Sequence, residues 1–215
     1  MKNKFFLAVL IFTAVVFVLP YVAHAQYSPE SDFDFMIMGN NEWVRITGYA
    51  GDRREISIPP IIQGLPVTTI GHVAFRNNQL TGVTIPNSVI HIEAGAFADN
   101  HLTDVTIPDS VTYIGDTAFA DNHLTNVTIG NSVTFIGPYA FAGNHLTSVS
   151  IGNSVAFIGT EAFADNQLTS ITIGANVIMG IWYSPNGFEE AYINGGRMAG
   201  TYTRPSTASR VWTRQ

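Results

Sequence analysis

The stretch Ile114-Gly-Asp-Thr-Ala-Phe-Ala-Asp-Asn-His-Leu-Thr-Asn-Val-Thr-Ile-Gly-Asn-Ser-Val-Thr-Phe135 is one copy of a 22-residue unit that occurs five times between residues 70 and 179. Ile70, Ile92, Ile114, Ile136 and Ile158 share one phase of it, and Phe75, Phe97, Phe119, Phe141 and Phe163 share another. Leu80, Leu102, Leu124, Leu146 and Leu168 keep a third, and Asn78, Asn100, Asn122, Asn144 and Asn166 a fourth. A period of this length marks a solenoid of stacked, nearly identical turns. Seven positions of the unit stay apolar in every copy. That surface is too small to offset the entropy of ordering one unit, so a lone copy stays unfolded and only stacking makes the array stable.

Within the unit, Leu124-x-x-Val127-x-Ile129 suits a short strand that pairs in parallel with its neighbours and turns Thr128 outward. The Gly-Asn-Ser or Pro-Asn-Ser that follows has turn chemistry, because proline fixes φ and Asn and Ser bond their own backbone. Val133-Thr-Phe-Ile136 reads as a second short extended piece, and Gly137-Pro-Tyr-Ala-Phe141 as a tight helical or 3₁₀ return turn.

The pattern Asn-Ser-Val-x-x-Ile-Gly-x-x-Ala-Phe-x-x-Asn-x-Leu-Thr-x-Val-x-Ile resembles the BspA-like subclass of bacterial leucine-rich repeats, over about half of the chain. The resemblance implies a leucine-rich-repeat solenoid and, as function, adhesion to host matrix proteins or other cells. Many relatives carry cysteine where this chain has the five phased asparagines, which are therefore expected to form a buried amide ladder that bonds loop backbone groups. Glu93 stands where the other repeats have glycine, so that turn is expected to differ locally.

Outside the array, Lys2 and Lys4 precede an apolar run ending at Leu19, and Ala23-His24-Ala25 is a small-x-small cleavage triplet. Residues 1–25 thus read as a secretory signal peptide, and the chain is expected to be secreted or on the cell surface, a periplasmic site included, with no membrane insertion once the signal is removed. Residues 26–69 read as an N-terminal segment and irregular capping repeat, in which Ile56, Ile58 and Pro59 match Val83, Ile85 and Pro86. Residues 180–215 read as a C-terminal cap, one short helix at Phe188-Glu-Glu-Ala-Tyr-Ile followed by a hairpin, and the cap's Phe188, Tyr202 and Trp212 are expected to cover the last repeat. This segment resembles the closing piece of spirochaetal members of the family.

Cysteine is absent, so packing alone must hold the array. Beyond residue 25 there are eight arginines, no lysine and sixteen acidic residues, a formal charge of −8, which argues against nucleic acid or anionic lipid as partner. The array itself is acidic and the tail mildly basic, with Arg197, Arg204, Arg210 and Arg214, which suggests envelope contact through the tail. The sequence has no nucleophile elbow, phosphate loop or zinc-protease helix, and a non-catalytic protein without cofactor is expected.

Three columns are candidates for binding. His91, Tyr113, Phe135, Phe157 and Met179 share a phase that relatives usually fill with small polar residues; Tyr113, Phe135 and Phe157 form either an exposed apolar stripe or a supplementary core. Thr106, Thr128 and Ser150 lie in a polar outward column able to hydrogen-bond an extended polypeptide or a glycan. His101, His123 and His145 also stack, but a straight column offers no tetrahedral ligand set, so it reads as a surface turn position and only a weak metal candidate. These readings point to an extracellular or cell-surface binding protein, probed against protein or glycan ligands. The alternative is a structural envelope scaffold or self-associating spacer.

Overall fold

The computed structural model describes residues 27–180 and 187–215. The segment read as a signal peptide lies outside them. Along the chain run β1 (Phe33–Met38), β2 (Trp43–Tyr49), β3 (Glu55–Ser57), β4 (Ile61–Ile62) and β5 (Leu65–Ile70). The repeats then alternate three-residue and two-residue strands: β6 (Gly82–Thr84), β7 (His91–Ile92), β8 (Asp104–Thr106), β9 (Tyr113–Ile114), β10 (Asn126–Thr128), β11 (Phe135–Ile136), β12 (Ser148–Ser150) and β13 (Phe157–Ile158). They end with β14 (Ser170–Ile173) and β15 (Ile178–Met179), followed by α1 (Phe188–Asn194), β16 (Gly200–Thr203) and β17 (Thr213–Arg214).

Each turn of the solenoid has three sides. The first is one unbroken sheet, β1-β2-β5-β7-β9-β11-β13-β15, with β4 paired to β5. From β5 onward it is parallel and stacks Ile70, Ile92, Ile114, Ile136 and Ile158 in register. Its last step slips: Ile158 pairs with Met179, and Phe157 with Ile178. The final repeat has one residue fewer between Val177 and Gly180 than its predecessor has between Val155 and Gly159. Met179 therefore leaves the aromatic phase and joins the isoleucine spine, while Ile178, 53% exposed, ends the stripe.

The second side carries the Leu-x-x-Val-x-Ile strands, and it is not one sheet. Pairing runs β3–β6, β8–β10 and β12–β14–β16–β17, with no hydrogen bonds across β6/β8 or β10/β12. The amides of Ile58, Ile107 and Ile151 bond Thr84, Thr128 and Thr172 carbonyls in the next strand. Among the described residues no backbone bond joins Ile85 to Thr106 or Ile129 to Ser150. The continuous ladder thus runs through the Val-x-Phe-Ile segment rather than through the leucine strand.

The third side is the return turn. Ala96 and Ala98 bond back to Glu93 and Gly95, while Gly95, Phe97 and Asp99 donate to Asp116, Ala118 and Ala120 of the next turn. These are single turns broken by left-handed residues, such as Thr117 (φ 52°) and Asp121 (φ 54°), rather than a run of 3₁₀ helix. Where a repeat has Glu93 for glycine, its carboxylate accepts the His72 N–H at 2.9 Å and pairs with Arg45 of β2, which ties the N-terminal hairpin to the array.

Inside, Phe75, Phe97, Phe119, Phe141 and Phe163 form a buried stack with centroids 5.0–5.3 Å apart. Beside it lies the expected amide ladder. Asn122, 2% exposed, donates to the carbonyls of Phe97, Phe119 and Ala120 and accepts the Leu102 N–H. Asn100 and Asn144 repeat this geometry one turn either side, and Asn166 repeats it half-buried, whereas Asn78, also half-buried and expected in the same ladder, donates to Arg76 O instead because no earlier repeat supplies a phenylalanine carbonyl. Buried turn carbonyls are thereby satisfied without a cysteine or water.

Beyond the array, Phe188, Tyr192, Tyr202 and Trp212 pack into a buried aromatic cluster. Tyr192 seals the last turn, its hydroxyl donating to Gly174 O at 2.7 Å and accepting the Val177 N–H. Arg204 is 7% exposed, donates to Leu168, Thr207 and Ser209 carbonyls, and stacks on Trp212. Burial pushes its pKa down. Arg214 is likewise engaged with Ala199 O. The basic tail read from sequence as an envelope contact therefore uses Arg204 internally and leaves Arg214 exposed.

Candidate binding surface

On the unbroken sheet, side chains alternate between core and surface within each two-residue strand. Ile114, Ile136 and Ile158 point in and are fully buried, which leaves Tyr113, Phe135 and Phe157 on the outer side, half-buried. Register fixes these rings above one another. Tyr113 to Phe135 is 4.9 Å between centroids and Phe135 to Phe157 is 5.0 Å, with planes within 7° and 11° of parallel. Such spacing is stacking, with ring faces turned toward each other rather than spread as a flat platform. His91 closes one end edge-on to Tyr113 at 6.2 Å. The stripe is thus neither wholly exposed nor a second core.

Around Tyr113 a shallow hollow of about 430 Å³ is lined by His72, His91, Glu93 and Ala94. Burial, reinforced by the Asp116 and Glu93 charges, raises the Tyr113 phenol pKa, so it keeps its proton well beyond neutral pH. The hollow therefore sets the protonated phenol beside two histidines and the Glu93 carboxylate, with Ala94 as its small apolar element.

Thr106, Thr128 and Ser150 are exposed, but on the seamed side, away from the aromatic rings. Thr106 and Thr128 are directly paired, whereas Ser150 lies across the β10/β12 seam. At the β6/β8 seam an open groove of about 720 Å³ includes Thr84, Thr106, Thr128, Asp104 and Asp109. The structure thus divides the sequence candidates into a stiff aromatic stripe and a polar, interrupted face. The seam had no sequence signal, since Asn126-Val-Thr and Ser148-Val-Ser, which fail to pair, differ little from strands that do.

His101, His123 and His145 form a third feature, at the corner before the leucines. All three are exposed, with rings parallel to within 7° and centroids 5.3 and 5.7 Å apart. No three His, Asp or Glu side chains converge on one point among the described residues. Nor is any helix among them long and apolar enough to cross a membrane.

No curated protein sequence matches the chain. Among solved structures it is similar to a leucine-rich repeat protein from Bacteroides ovatus at 20% identity, covering 69% of this chain and 54% of that one, TM-score 0.42. It is also similar to the T. pallidum leucine-rich repeat protein at 19% identity, covering 80% and 96%, TM-score 0.38. A leucine-rich cell surface protein from Faecalibacterium prausnitzii is 23% identical, with 84% and 59% covered and TM-score 0.36. The chain thus spans little more than half the length of the first and third of these proteins. Residues 68–180 match the model of the BspA type leucine rich repeat region in six copies, one more than the five counted by period from residue 70. With more than half its length in that match, the chain belongs to the BspA-type leucine-rich repeat family.

Proposed function

We propose that this is an exported, non-catalytic binding protein that holds a polypeptide partner, a host matrix or cell-surface protein, along the Tyr113, Phe135 and Phe157 stripe. The observation that carries this reading is three parallel rings, half-buried, on a side of the array whose hydrogen-bond ladder is continuous. Aromatic side chains fixed in advance lose little entropy on binding, which makes them efficient anchors. Because the rings face one another, apolar side chains of a polypeptide suit the stripe better than a sugar ring, which needs a free aromatic face. The acidic array favours a partner with basic groups beside its apolar ones. Export rests on the basic, apolar and small-residue order of residues 1–25.

The test is binding of purified residues 26–215 to immobilised matrix proteins and glycans, beside a Tyr113→Ser, Phe135→Ser, Phe157→Ser variant with verified folding. Saturable protein binding by the parent that the variant loses is the expected result. Glycan binding that the variant keeps would move the site to the threonine side.

A second reading, a self-associating spacer, is favoured by β1. It ends the unbroken sheet, and among the described residues no strand lies beyond it, while Met36 and Ile37 are 56% and 39% exposed. An open apolar edge invites pairing with another copy. Concentration-dependent mass in sedimentation, abolished by Ile37→Lys, would support that reading over adhesion.

A further inference from the structure

The corner that carries His101, His123 and His145 is held tightly. Each backbone N–H donates to the leucine carbonyl of the preceding turn, at 2.8 Å for His101, 3.0 Å for His123 and 2.9 Å for His145. Asn122 and Asn144 lock the flanking residues from inside. The three imidazoles therefore leave a rigid edge in parallel and are exposed, with no partner on a ring nitrogen among the described residues. By contrast, His72 spends its Nδ1 on Ala94 O.

We propose that this column binds one divalent first-row metal ion of the imidazole-preferring kind, Zn²⁺ or Cu²⁺, between two adjacent rings. The ring centroids of His101 and His123 lie 5.3 Å apart. For zinc, two metal–nitrogen bonds of about 2.0–2.1 Å at a tetrahedral angle span about 3.3 Å, so each ring must bring its nitrogen in by about 1 Å and turn its in-plane lone pair by about 55° toward the ion, which opens the parallel stack into two converging rings. Exposed rings on a fixed backbone can make that swing. The array from residue 70 to 179 has eight acidic residues and one arginine, a field that draws cations to this surface. Two protein nitrogens leave the remaining coordination positions to solvent, which is consistent with the lack of any three converging ligands among the described residues.

Stoichiometry follows from imidazole chemistry. A neutral ring has one lone-pair nitrogen and one N–H, so His123 can serve only one of its two neighbours at a time. The column therefore holds one ion, and the closer pair, His101 with His123, is the preferred seat over His123 with His145 at 5.7 Å.

The repeats supply conservative substitutions, since Gln79 and Gln167 occupy the same phase in the outer copies. Calorimetric titration of the folded chain with Cu²⁺, the strongest binder of the divalent series, should give one equivalent. H123Q and the double variant H101Q/H145Q should each lose on the order of 100-fold in affinity, because either change converts a two-point site into a one-point site. H145Q should stay close to the parent, and H101Q should fall between. Imidazole resonances of His101 and His123 should move together on adding Zn²⁺. Binding by H123Q equal to the parent, or an equal small loss on removing each histidine, would overturn the proposal and leave independent surface histidines.

Discussion

The two long sides of this solenoid are built from the same repeats, yet one is a continuous ladder and the other is cut into bonded groups. On the aromatic side every turn bonds the next: Thr112 to Ile90, Thr134 to Thr112, Ala156 to Thr134, Ile178 to Ala156. On the threonine side bonds hold within β8/β10 and β12/β14 and fail between them. The breaks are local to the three-residue strands: one corner away, the His101, His123 and His145 N–H groups bond the leucine carbonyls of the preceding turn at every step, the two seams included. Val83 and Val127, which precede the seams, are half-buried, whereas Val105 and Val149, which follow them, are buried. The lesson is that an exact sequence repeat need not give an exact structural repeat.

The largest effect is expected from the spine that both sides share. Phe119→Ala would leave a cavity in a stack with no exposed member and should cost about 3–5 kcal/mol in urea denaturation. A loss of well under 1 kcal/mol would mean that the sides do not depend on a common core.

The comparison is sharpened by glycines. A Cβ at Gly137, beside the continuous sheet, would lie 2.5 Å from Asp116 N, and one at Gly130, inside a bonded pair, 2.4 Å from Pro108 O. At Gly152, across the β10/β12 seam, the nearest atom would be 3.8 Å away. Gly137→Ala and Gly130→Ala should therefore each cost about 1–3 kcal/mol from overpacking. Gly152→Ala should be neutral or stabilising by up to about 1 kcal/mol, through the unfolded chain. Equal penalties at all three positions would deny the seam.

The smallest effect is alkaline. The Tyr113 pKa is raised in the fold, so the phenol's contribution is intact below the ordinary value of 10 and is lost as pH rises through the folded value. Tyr113→Phe should flatten the decline of melting temperature above pH 10 and leave neutral stability unchanged.

Much of this was legible in the sequence, because phase-locked residues report directly on stacking. The isoleucine, phenylalanine and leucine spines and the asparagine ladder follow from the period, and so does the alignment of Ile56 with Val83. What was not legible depends on differences between repeats. The one-residue deletion before Gly180 moves Met179 from surface to spine, and only counting against Val155 and Gly159 could reveal it. Arg204 looked like free tail charge because its partners are backbone carbonyls, Leu168 O far away in sequence among them. Exposure of the aromatic stripe depends on which of two adjacent strand residues faces inward, and a two-residue strand gives too little alternation to read.

Amide hydrogen exchange at four equivalent positions tests the contrast most directly. Ile107 and Ile151 donate across bonded pairs, to Thr128 and Thr172, whereas Ile85 and Ile129 face the seams. Slow exchange at Ile107 and Ile151 with fast exchange at Ile85 and Ile129, against uniformly slow exchange at Thr112, Thr134 and Ala156 on the aromatic side, is the predicted result. Uniform protection at all four isoleucines would contradict it, and would make the threonine face as continuous a platform for binding as the aromatic one.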